Sequence, residues 1–197
     1  MRRRRSVAVI ACMLSIILWQ SGCRRERLSN TPPASNENAA GGQLPAIKIR
    51  STLFQDGEMI PRPYTCDGPN VSPSLAWESV PPQARTLALI ADDPDAPART
   101  WVHWVLYNLP AETKGLVENV QKEKRLAGGA AVQGINDFQK IGYDGPCPPS
   151  GTHRYYFKLY ALDTELPLEP GATKEQLLEA MKGHVLAEGQ LMCKYHR

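Results

Sequence analysis

Prolines are so closely spaced in the first half of this chain that a helix has little room to form there. A proline inside a helix removes a backbone hydrogen bond and clashes with the preceding turn. The prolines of this segment are Pro61, Pro63, Pro69, Pro73, Pro81 and Pro82. Only short extended pieces, such as residues 64–66 and 74–77, fit between them. This segment is therefore predicted to contain β-structure and loops without a helix.

Hydrophobic patterning predicts several strands in the rest of the chain. Residues 47–53 alternate between apolar and polar side chains, which is the pattern of a half-buried strand. Residues 86–91 form a continuous apolar stretch, and residues 101–108 and 154–162 are rich in aromatic and β-branched side chains. We expect these three to be the central strands, and residues 189–195 to form a closing strand.

One helix is predicted near the C-terminal end. Thr173 and Gln176 match a capping box, in which two side chains satisfy backbone groups of the first turn. The apolar residues that follow along one helical face are Leu177, Leu178 and Met181. Gly183 is placed as a C-cap, so the pattern predicts a helix of about ten residues.

Residues 115–145 show no sustained apolar period and contain several glycines. We therefore predict a long ordered loop in this part of the chain. Loops of this length in compact domains are usually functional. Together, the segments predict a mainly β domain with one or two short helices.

The N-terminal residues have the three-part layout of a secretory signal. Four arginines at residues 2–5 precede an apolar run at residues 7–19 and then the small residues Ser21 and Gly22. The following Cys23 completes a segment similar to a bacterial lipobox, in which this cysteine is lipidated. We predict a signal peptide at residues 1–22 and a membrane-anchored, extracytoplasmic lipoprotein. Simple secretion and an uncleaved anchor are the alternatives.

The remainder of the chain divides into a tether and a domain. Residues 23–45 are too poor in apolar side chains to order themselves, which predicts a flexible tether. Residues 46–197 have a suitable length for one domain with one core. Four of the 23 basic residues are leader arginines, which leaves 19 basic against 20 acidic side chains. Nucleic-acid binding is therefore not expected.

Cys66, Cys147 and Cys193 lie within the predicted domain, so at most one internal disulfide can form. Cys66 and Cys147 both lie in turns rich in glycine and proline, whereas Cys193 lies in an apolar run. We favour a disulfide between Cys66 and Cys147. Three buried free thiols are the alternative, because the sequence does not supply the Cα separation that a disulfide needs.

Two segments place an imidazole after a turn-forming cluster. Residues 93–97 (DPDAP) lead to Trp101 and His103, and residues 145–149 (GPCPP) lead to His153. Neutral imidazoles and loop amides donate hydrogen bonds in fixed directions. Together, the two segments are therefore predicted to form a single pocket that holds phosphate or carboxylate without a metal.

The period of a strand predicts where these side chains point. The residues expected to share a face are Trp101, His103, Val105 and Tyr107 in one strand, and His153, Tyr155, Phe157 and Leu159 in the other. Each imidazole would then lie at the rim of the core. Asp93 or Asp95 could orient an imidazole by accepting its second N–H. Ordinary turn chemistry is the alternative for either aspartate.

The two segments resemble the signature regions of the phosphatidylethanolamine-binding protein family, in the bacterial and archaeal branch often labelled Raf kinase inhibitor-like. The similarity covers nearly all of residues 47–195 and includes residues 64–70 and 187–191. The resemblance implies a β-sandwich-like fold with a small anion pocket. The matching ligand-binding positions are Asp93, Asp95, Trp101, His103, Pro149, His153 and Tyr155. Arg154 is expected to make structural hydrogen bonds instead.

We expect a non-catalytic binding module, without a metal or another cofactor, for phosphate-bearing headgroups such as phosphoethanolamine. One alternative is an inhibitor or scaffold that acts on a partner protein, such as a protease or a kinase-like enzyme. Another is an enzyme, with Asp93, His103 and His153 as a metal site, or Ser150 and a histidine as a nucleophile pair. Ser150 lies in no nucleophile-elbow pattern, so the enzyme is not favoured.

Overall fold

Two antiparallel β-sheets form the frame of the domain. The computed structural model describes residues 44–126 and 128–197. The strands are β1 (Lys48–Arg50), β2 (Leu75–Glu78), β3 (Thr86–Asp93), β4 (Trp101–Pro110), β5 (Gly115–Leu116), β6 (Val132–Gln133), β7 (Thr152–Leu162) and β8 (Val185–His196). The small sheet has the order β1-β2-β5, and the large sheet has the order β6-β4-β3-β7-β8. A 3-10 helix at Arg62–Tyr64 and the α-helix α1 at Lys174–Ala180 complete the elements.

The predicted signal peptide, the lipidation site Cys23 and most of the tether lie outside the described residues. Within residues 44–126 and 128–197, no helix has the length and hydropathy that a membrane span requires.

The main core lies between the two sheets. Its large side chains include Leu75, Trp77 and Leu116 from the small sheet and Leu89, Trp104 and Phe157 from the large sheet. A smaller core lies on the other face of the large sheet, where Leu177 of α1 packs with Ile90 and Val105. Burial on both faces explains the continuous apolar run of β3. The prediction of a mainly β, sandwich-like fold with one or two short helices is confirmed.

The central strands form where the patterns predict them and are longer than expected. β3 continues through Asp92 and Asp93, and β4 continues to Pro110. β7 begins at Thr152, and β8 begins at Val185. The extension of β3 brings two buried aspartates into the sheet, one on each face. Only Asp93 lies on the side of the histidines.

Two expectations for the N-terminal part of the domain are wrong in detail. The strand at residues 47–53 shortens to β1, because the Ser51 hydroxyl donates to the Ser74 carbonyl at 2.8 Å and so leaves the ladder. The proline-rich segment does contain one helical turn, Arg62–Tyr64. Pro63 lies in its first turn, where the missing N–H costs no hydrogen bond.

α1 begins at the predicted capping box. The Gln176 backbone N–H donates to Thr173 Oγ1, and the Thr173 N–H donates to Gln176 Oε1. The helix has seven residues instead of about ten, because its C-cap is Met181 and the chain turns before Gly183. Leu178 is exposed, so it does not belong to the apolar face as predicted.

Candidate functional site

Three strand ends meet at one edge of the large sheet. β3 pairs antiparallel with both β4 and β7, so the end of β3 lies beside the start of each neighbour. The register places Asp93 opposite Trp101. His153 lies at the start of β7, one residue after the strand begins. Two segments that are distant in the sequence therefore converge, as the pocket prediction requires.

A cavity of about 210 Å³ lies at this edge. Five of the seven predicted ligand-binding residues line it: Asp93, Trp101, His103, Pro149 and His153. The remaining lining residues are Ala96, Pro97, Phe138 and Cys147. The volume is below the usual range for drug-sized ligands, so the cavity suits a guest no larger than a headgroup.

A β-bulge in β4 changes the direction of His103 from the predicted one. The register between β3 and β4 shifts after Ala91, which leaves one extra residue in β4. His103 therefore turns to the ring of Tyr155, at a centroid distance of 5.2 Å, whereas Val105 and Tyr107 pack in the smaller core. The prediction that His103 shares their face is wrong, because a strict period of two does not anticipate a bulge.

The predicted face of β7 is correct, since its register shifts only at its far end, after Ala161. The buried residues on this face are His153, Tyr155, Phe157 and Leu159. The two histidines thus reach the cavity in different ways. His153 follows the regular alternation of its strand, and His103 depends on a bulge.

His103 is held from behind by the loop before the disulfide. Its Nδ1 lies 2.7 Å from the carbonyl oxygen of Asp144, and the Asp144 N–H donates to the His103 carbonyl. The rings of Phe138 and Tyr155 pack edge-on against the imidazole. Burial lowers the pKa of His103, and the Asp144 carbonyl and the charge of Asp93 offset only part of this effect. The ring is therefore neutral at neutral pH.

His153 is held by a carboxylate. Its Nδ1 lies 2.7 Å from Asp93 Oδ2, and both side chains are buried. The other oxygen, Asp93 Oδ1, accepts the Asp95 backbone N–H at 2.8 Å. Asp93 therefore orients the imidazole, which is one of the roles expected for it.

The direction of these hydrogen bonds corrects the expectation that neutral imidazoles donate to the guest. A carbonyl and a carboxylate can only accept, so Nδ1 carries the hydrogen in both His103 and His153. A neutral ring has no second N–H, and its Nε2 presents a lone pair. The described residues make no hydrogen bond to Nε2 of either ring. Each ring can donate from Nε2 only when it is protonated.

Asp95 lies outside the cavity lining and is occupied by Arg154. Its carboxylate accepts the Arg154 backbone N–H at 2.9 Å, Nε at 2.9 Å and Nη2 at 2.7 Å. These hydrogen bonds lower the pKa of Asp95 to about 2. Asp95 and Arg154 thus fix the turn after β3 against the start of β7.

Tyr155 lies behind the two imidazoles and does not line the cavity. Its ring centroid is 5.2 Å from that of His103 and 6.5 Å from that of His153. Burial, and then the negative charge of Asp93, raise the pKa of the phenol. Its hydroxyl has no hydrogen-bond partner among the described residues. Tyr155 therefore supports the rings by packing.

Sequence reasoning missed the side chain that organises the loop behind His103. The Asp144 carboxylate is buried and accepts Asn70 Nδ2 and Asn136 Nδ2, both at 2.9 Å, and Lys140 Nζ at 3.3 Å. Asn136 Oδ1 in turn accepts the Phe138 backbone N–H. The only signal was the prediction of a long functional loop at residues 115–145, which singled out no residue and which the structure corrects by placing β5 and β6 within it.

The disulfide and a glycine hold the other side of the cavity. Cys66 and Cys147 are joined, with Cα atoms 5.4 Å apart, and Cys193 is a buried free thiol. At Gly145 an added Cβ would lie 2.1 Å from the Tyr64 carbonyl oxygen, so no side chain fits there. This close approach brings the segment with Cys147 against the segment with Cys66.

The arrangement does not match the metal site considered for Asp93, His103 and His153. Within the part of the chain that the structure describes, no three His, Cys, Asp or Glu side chains are arranged to hold a metal ion. Asp93 stands behind His153 and contacts its Nδ1, so it orients the ring and does not converge with Nε2.

Comparison with known proteins identifies the family. The sequence model of the phosphatidylethanolamine-binding proteins matches residues 50–196. A UPF0098 protein from the archaeon Methanothermobacter thermautotrophicus is 56% identical over 151 residues, which cover 77% of this chain and 99% of the relative. A UPF0098 protein from Aquifex aeolicus is 45% identical and covers 81% of this chain and 92% of its own length.

Two solved structures share the fold. A phosphatidylethanolamine-binding protein homologue from Chlamydia trachomatis is 44% identical with a TM-score of 0.71, and covers 77% of this chain and 98% of its own. YbcL from E. coli, described as a member of the mammalian family, is 30% identical with a TM-score of 0.72 and the same coverage. With relatives in bacteria and archaea and a matching fold, the chain belongs to the phosphatidylethanolamine-binding protein family, in its bacterial and archaeal branch.

Proposed function

We propose that this protein is a non-catalytic binding module whose cavity holds a small oxyanion, such as the phosphate of a phosphoethanolamine headgroup. The observation that carries the proposal is the convergence of His103 and His153 on one cavity of headgroup size. Each ring is fixed through Nδ1, so Nε2 is available for a guest. A rigid pair of this kind binds without rearrangement, which lowers the cost of binding.

The surroundings of the two rings favour binding over catalysis. Asp93 orients His153 and is not poised against a nucleophile. Ser150, the serine considered as a nucleophile, is exposed, and no hydrogen bond joins it to a histidine in the described ranges. A nucleophile needs a base within hydrogen-bond reach to be activated.

Binding of phosphate or phosphoethanolamine is expected to shift the NMR ring signals of His103 and His153 at millimolar ligand. A few hydrogen bonds to a small, partly hydrated anion give modest affinity, about micromolar at best. The His153→Gln variant is expected to bind about tenfold more weakly or worse, because it loses an oriented ring nitrogen.

His184→Gln is the matched control, since His184 pairs with Asp163 on the surface and lies outside the cavity. It should leave binding unchanged. Ring signals of His103 and His153 that do not move at millimolar phosphate or phosphoethanolamine would contradict the proposed function.

The proposed location is extracytoplasmic, with the domain anchored through a lipid on Cys23. The leader and the lipobox-like segment support this proposal, and so does the Cys66–Cys147 disulfide, because disulfides persist in oxidising compartments. Mass spectrometry of the N-terminal peptide from cells is expected to find a lipid-modified Cys23 at the mature N-terminus. An intact peptide that begins at Met1 would contradict it.

An inhibitor or scaffold is the second candidate. An open groove of about 900 Å³ away from the histidines supports it, since apolar side chains such as Leu116, Val120 and Leu126 line it. Val117 beside them is 77% exposed. A protein partner bound here would not respond to His153→Gln, whereas anion binding would.

A further inference from the structure

We infer that the cavity selects oxyanions that still carry a proton, such as hydrogen phosphate or the monoanion of a phosphomonoester, over fully deprotonated ones such as sulfate. The inference rests on the proposed function and adds the protonation state of the guest. It follows from two observations, the direction of the hydrogen bonds that hold the imidazoles and the charge of the cavity wall.

The first observation is that His103 presents an acceptor to the cavity. Its Nδ1–H is committed to the Asp144 carbonyl, which has no proton to give, so a neutral ring has a lone pair on Nε2. His103 is 3% exposed, and burial disfavours the charged form of its ring. A guest that meets Nε2 must therefore bring a hydrogen of its own.

The second observation is that the cavity wall has no surplus of positive charge. Asp93 is a wall residue, and none of the described wall residues is Lys or Arg. Even when His153 is protonated, its charge only balances that of Asp93. The nearby guanidinium of Arg154 is already paired with Asp95. The wall therefore has no surplus cation that would replace a hydrogen carried by the guest, so between two anions of equal charge the one with an O–H is favoured, through His103.

The charged and titratable groups around the two rings come from each neighbouring element. His103 faces Asp93 from β3, Tyr155 from β7 and the Asp144 segment from the loop. His153 faces Asp93 and, further away, Asp95 in the turn after β3, with Tyr155 on its own strand. Two arginines also contact wall residues, and both are paired: Arg99 lies over Trp101 and pairs with Asp137, and Arg197 contacts Cys147 and pairs with Asp67. The other neighbours are acidic or neutral, so none supplies an unpaired positive charge that would replace the proton.

A protonated oxyanion complements this wall with one donor and one acceptor. The P–O–H of the guest donates to Nε2 of His103. When His153 is protonated, its Nε2–H donates to an ionised oxygen of either anion, so the difference between phosphate and sulfate is the single hydrogen at His103. The proton stays on the phosphate oxygen, or it moves to His103, in which case the O–H bond breaks as an N–H bond forms at Nε2; no other bond changes. Sulfate has no hydrogen at neutral pH, so its oxygen would face the His103 lone pair, and this contact is repulsive.

Phosphate and sulfate form a matched pair for the test. At pH 8 inorganic phosphate is mostly hydrogen phosphate, which has the shape and charge of sulfate and differs by one O–H. We expect calorimetry on the wild-type protein at equal ionic strength to give about tenfold tighter binding, or more, for phosphate. Sulfate binding, where it is measurable, should take up about one proton per anion more than phosphate binding, seen as a stronger dependence of the heat on the buffer.

Titration with phosphoethanolamine distinguishes a headgroup from free phosphate as the guest. Its second pKa is about 6, so its binding should weaken by about tenfold per pH unit above that value. The inference is supported if inorganic phosphate and phosphoethanolamine both bind more tightly than sulfate. The tighter of these two ligands at pH 6 indicates whether the guest is a free phosphate or a headgroup.

The His103→Gln variant should reduce the preference for phosphate over sulfate to about threefold or less, because an amide can rotate to donate. His184→Gln is again the control. If His103→Gln does not fold, the wild-type protein still decides the matter through the ¹⁵N shifts of the His103 ring at pH 8. A hydrogen on Nε2 in the free protein would overturn the inference.

Equal affinity for phosphate and sulfate at pH 8, without extra proton uptake by sulfate, would also overturn the inference and leave the proposed function intact. No binding of either anion between pH 6 and pH 8 would overturn both. The two failures are therefore distinguishable in one set of titrations.

Discussion

Replacing both Cys66 and Cys147 by serine is expected to lower the free energy of unfolding by about 4–5 kcal/mol. The two cysteines are 81 residues apart, and a crosslink that closes so long a loop removes much of the conformational entropy of the unfolded chain. The loss is a large fraction of the stability of a typical domain. Thermal unfolding should shift down by about 10–15 °C.

A reductant provides the control for this prediction. The wild-type protein treated with dithiothreitol should approach the stability of the double variant, and the double variant should not respond. Denaturation followed by reduction should release two thiols per chain beyond those present before reduction. No increase in thiols on reduction, with Cys66 and Cys147 already free, would contradict the disulfide.

Replacing Asp144 by alanine is expected to cost about 3 kcal/mol of stability and to disturb the orientation of His103. The carboxylate is 5% exposed and accepts hydrogen bonds from Asn70, Asn136 and Lys140. Its removal takes an acceptor from the half-buried Asn70 amide and from the buried Asn136 amide, which keeps only its bond to the Gly142 carbonyl at normal length. Chemical denaturation measures the loss. Faster exchange of the His103 Nδ1 hydrogen with solvent measures the disturbance, because the Asp144 carbonyl holds it.

The conservative variant Asp144→Asn keeps the shape and one acceptor, and should lose about half as much stability. Asp163→Ala is the surface control, since this carboxylate is 45% exposed, and should change stability by about 0.5 kcal/mol or less. If Asp144→Ala were as mild as Asp163→Ala, the Asp144 cluster would not organise the loop.

The parts of the fold that follow from local chemistry could be predicted from the sequence. The central strands form where their apolar runs indicate, and α1 starts at the capping box of Thr173 and Gln176. For β7, the prediction of which side chains share one face was also correct, because the strand keeps a period of two over residues 153–159. Each of these features depends on neighbours within a few positions of the chain.

The residues of the candidate site could be predicted, but the orientation and the hydrogen bonds of its histidines could not. The family resemblance named the histidines, and no local pattern revealed the bulge that turns His103 to the cavity or the Asp144 cluster behind it. The bulge arises from the pairing register between β4 and β3, which the sequence of β4 alone does not show. The cluster joins segments that are 74 and 8 residues from Asp144 in sequence.

The sequence by itself determined the strands, the helix cap, the candidate cysteines and the two segments that contain the imidazoles. Only the tertiary structure decided which nitrogen of each ring carries the hydrogen, since the partners are the carbonyl of Asp144 for His103 and the carboxylate of Asp93 for His153. Periodicity reports how one side chain lies relative to its own strand. The direction of a hydrogen bond depends on the group that faces it, and here that group comes from a distant part of the chain.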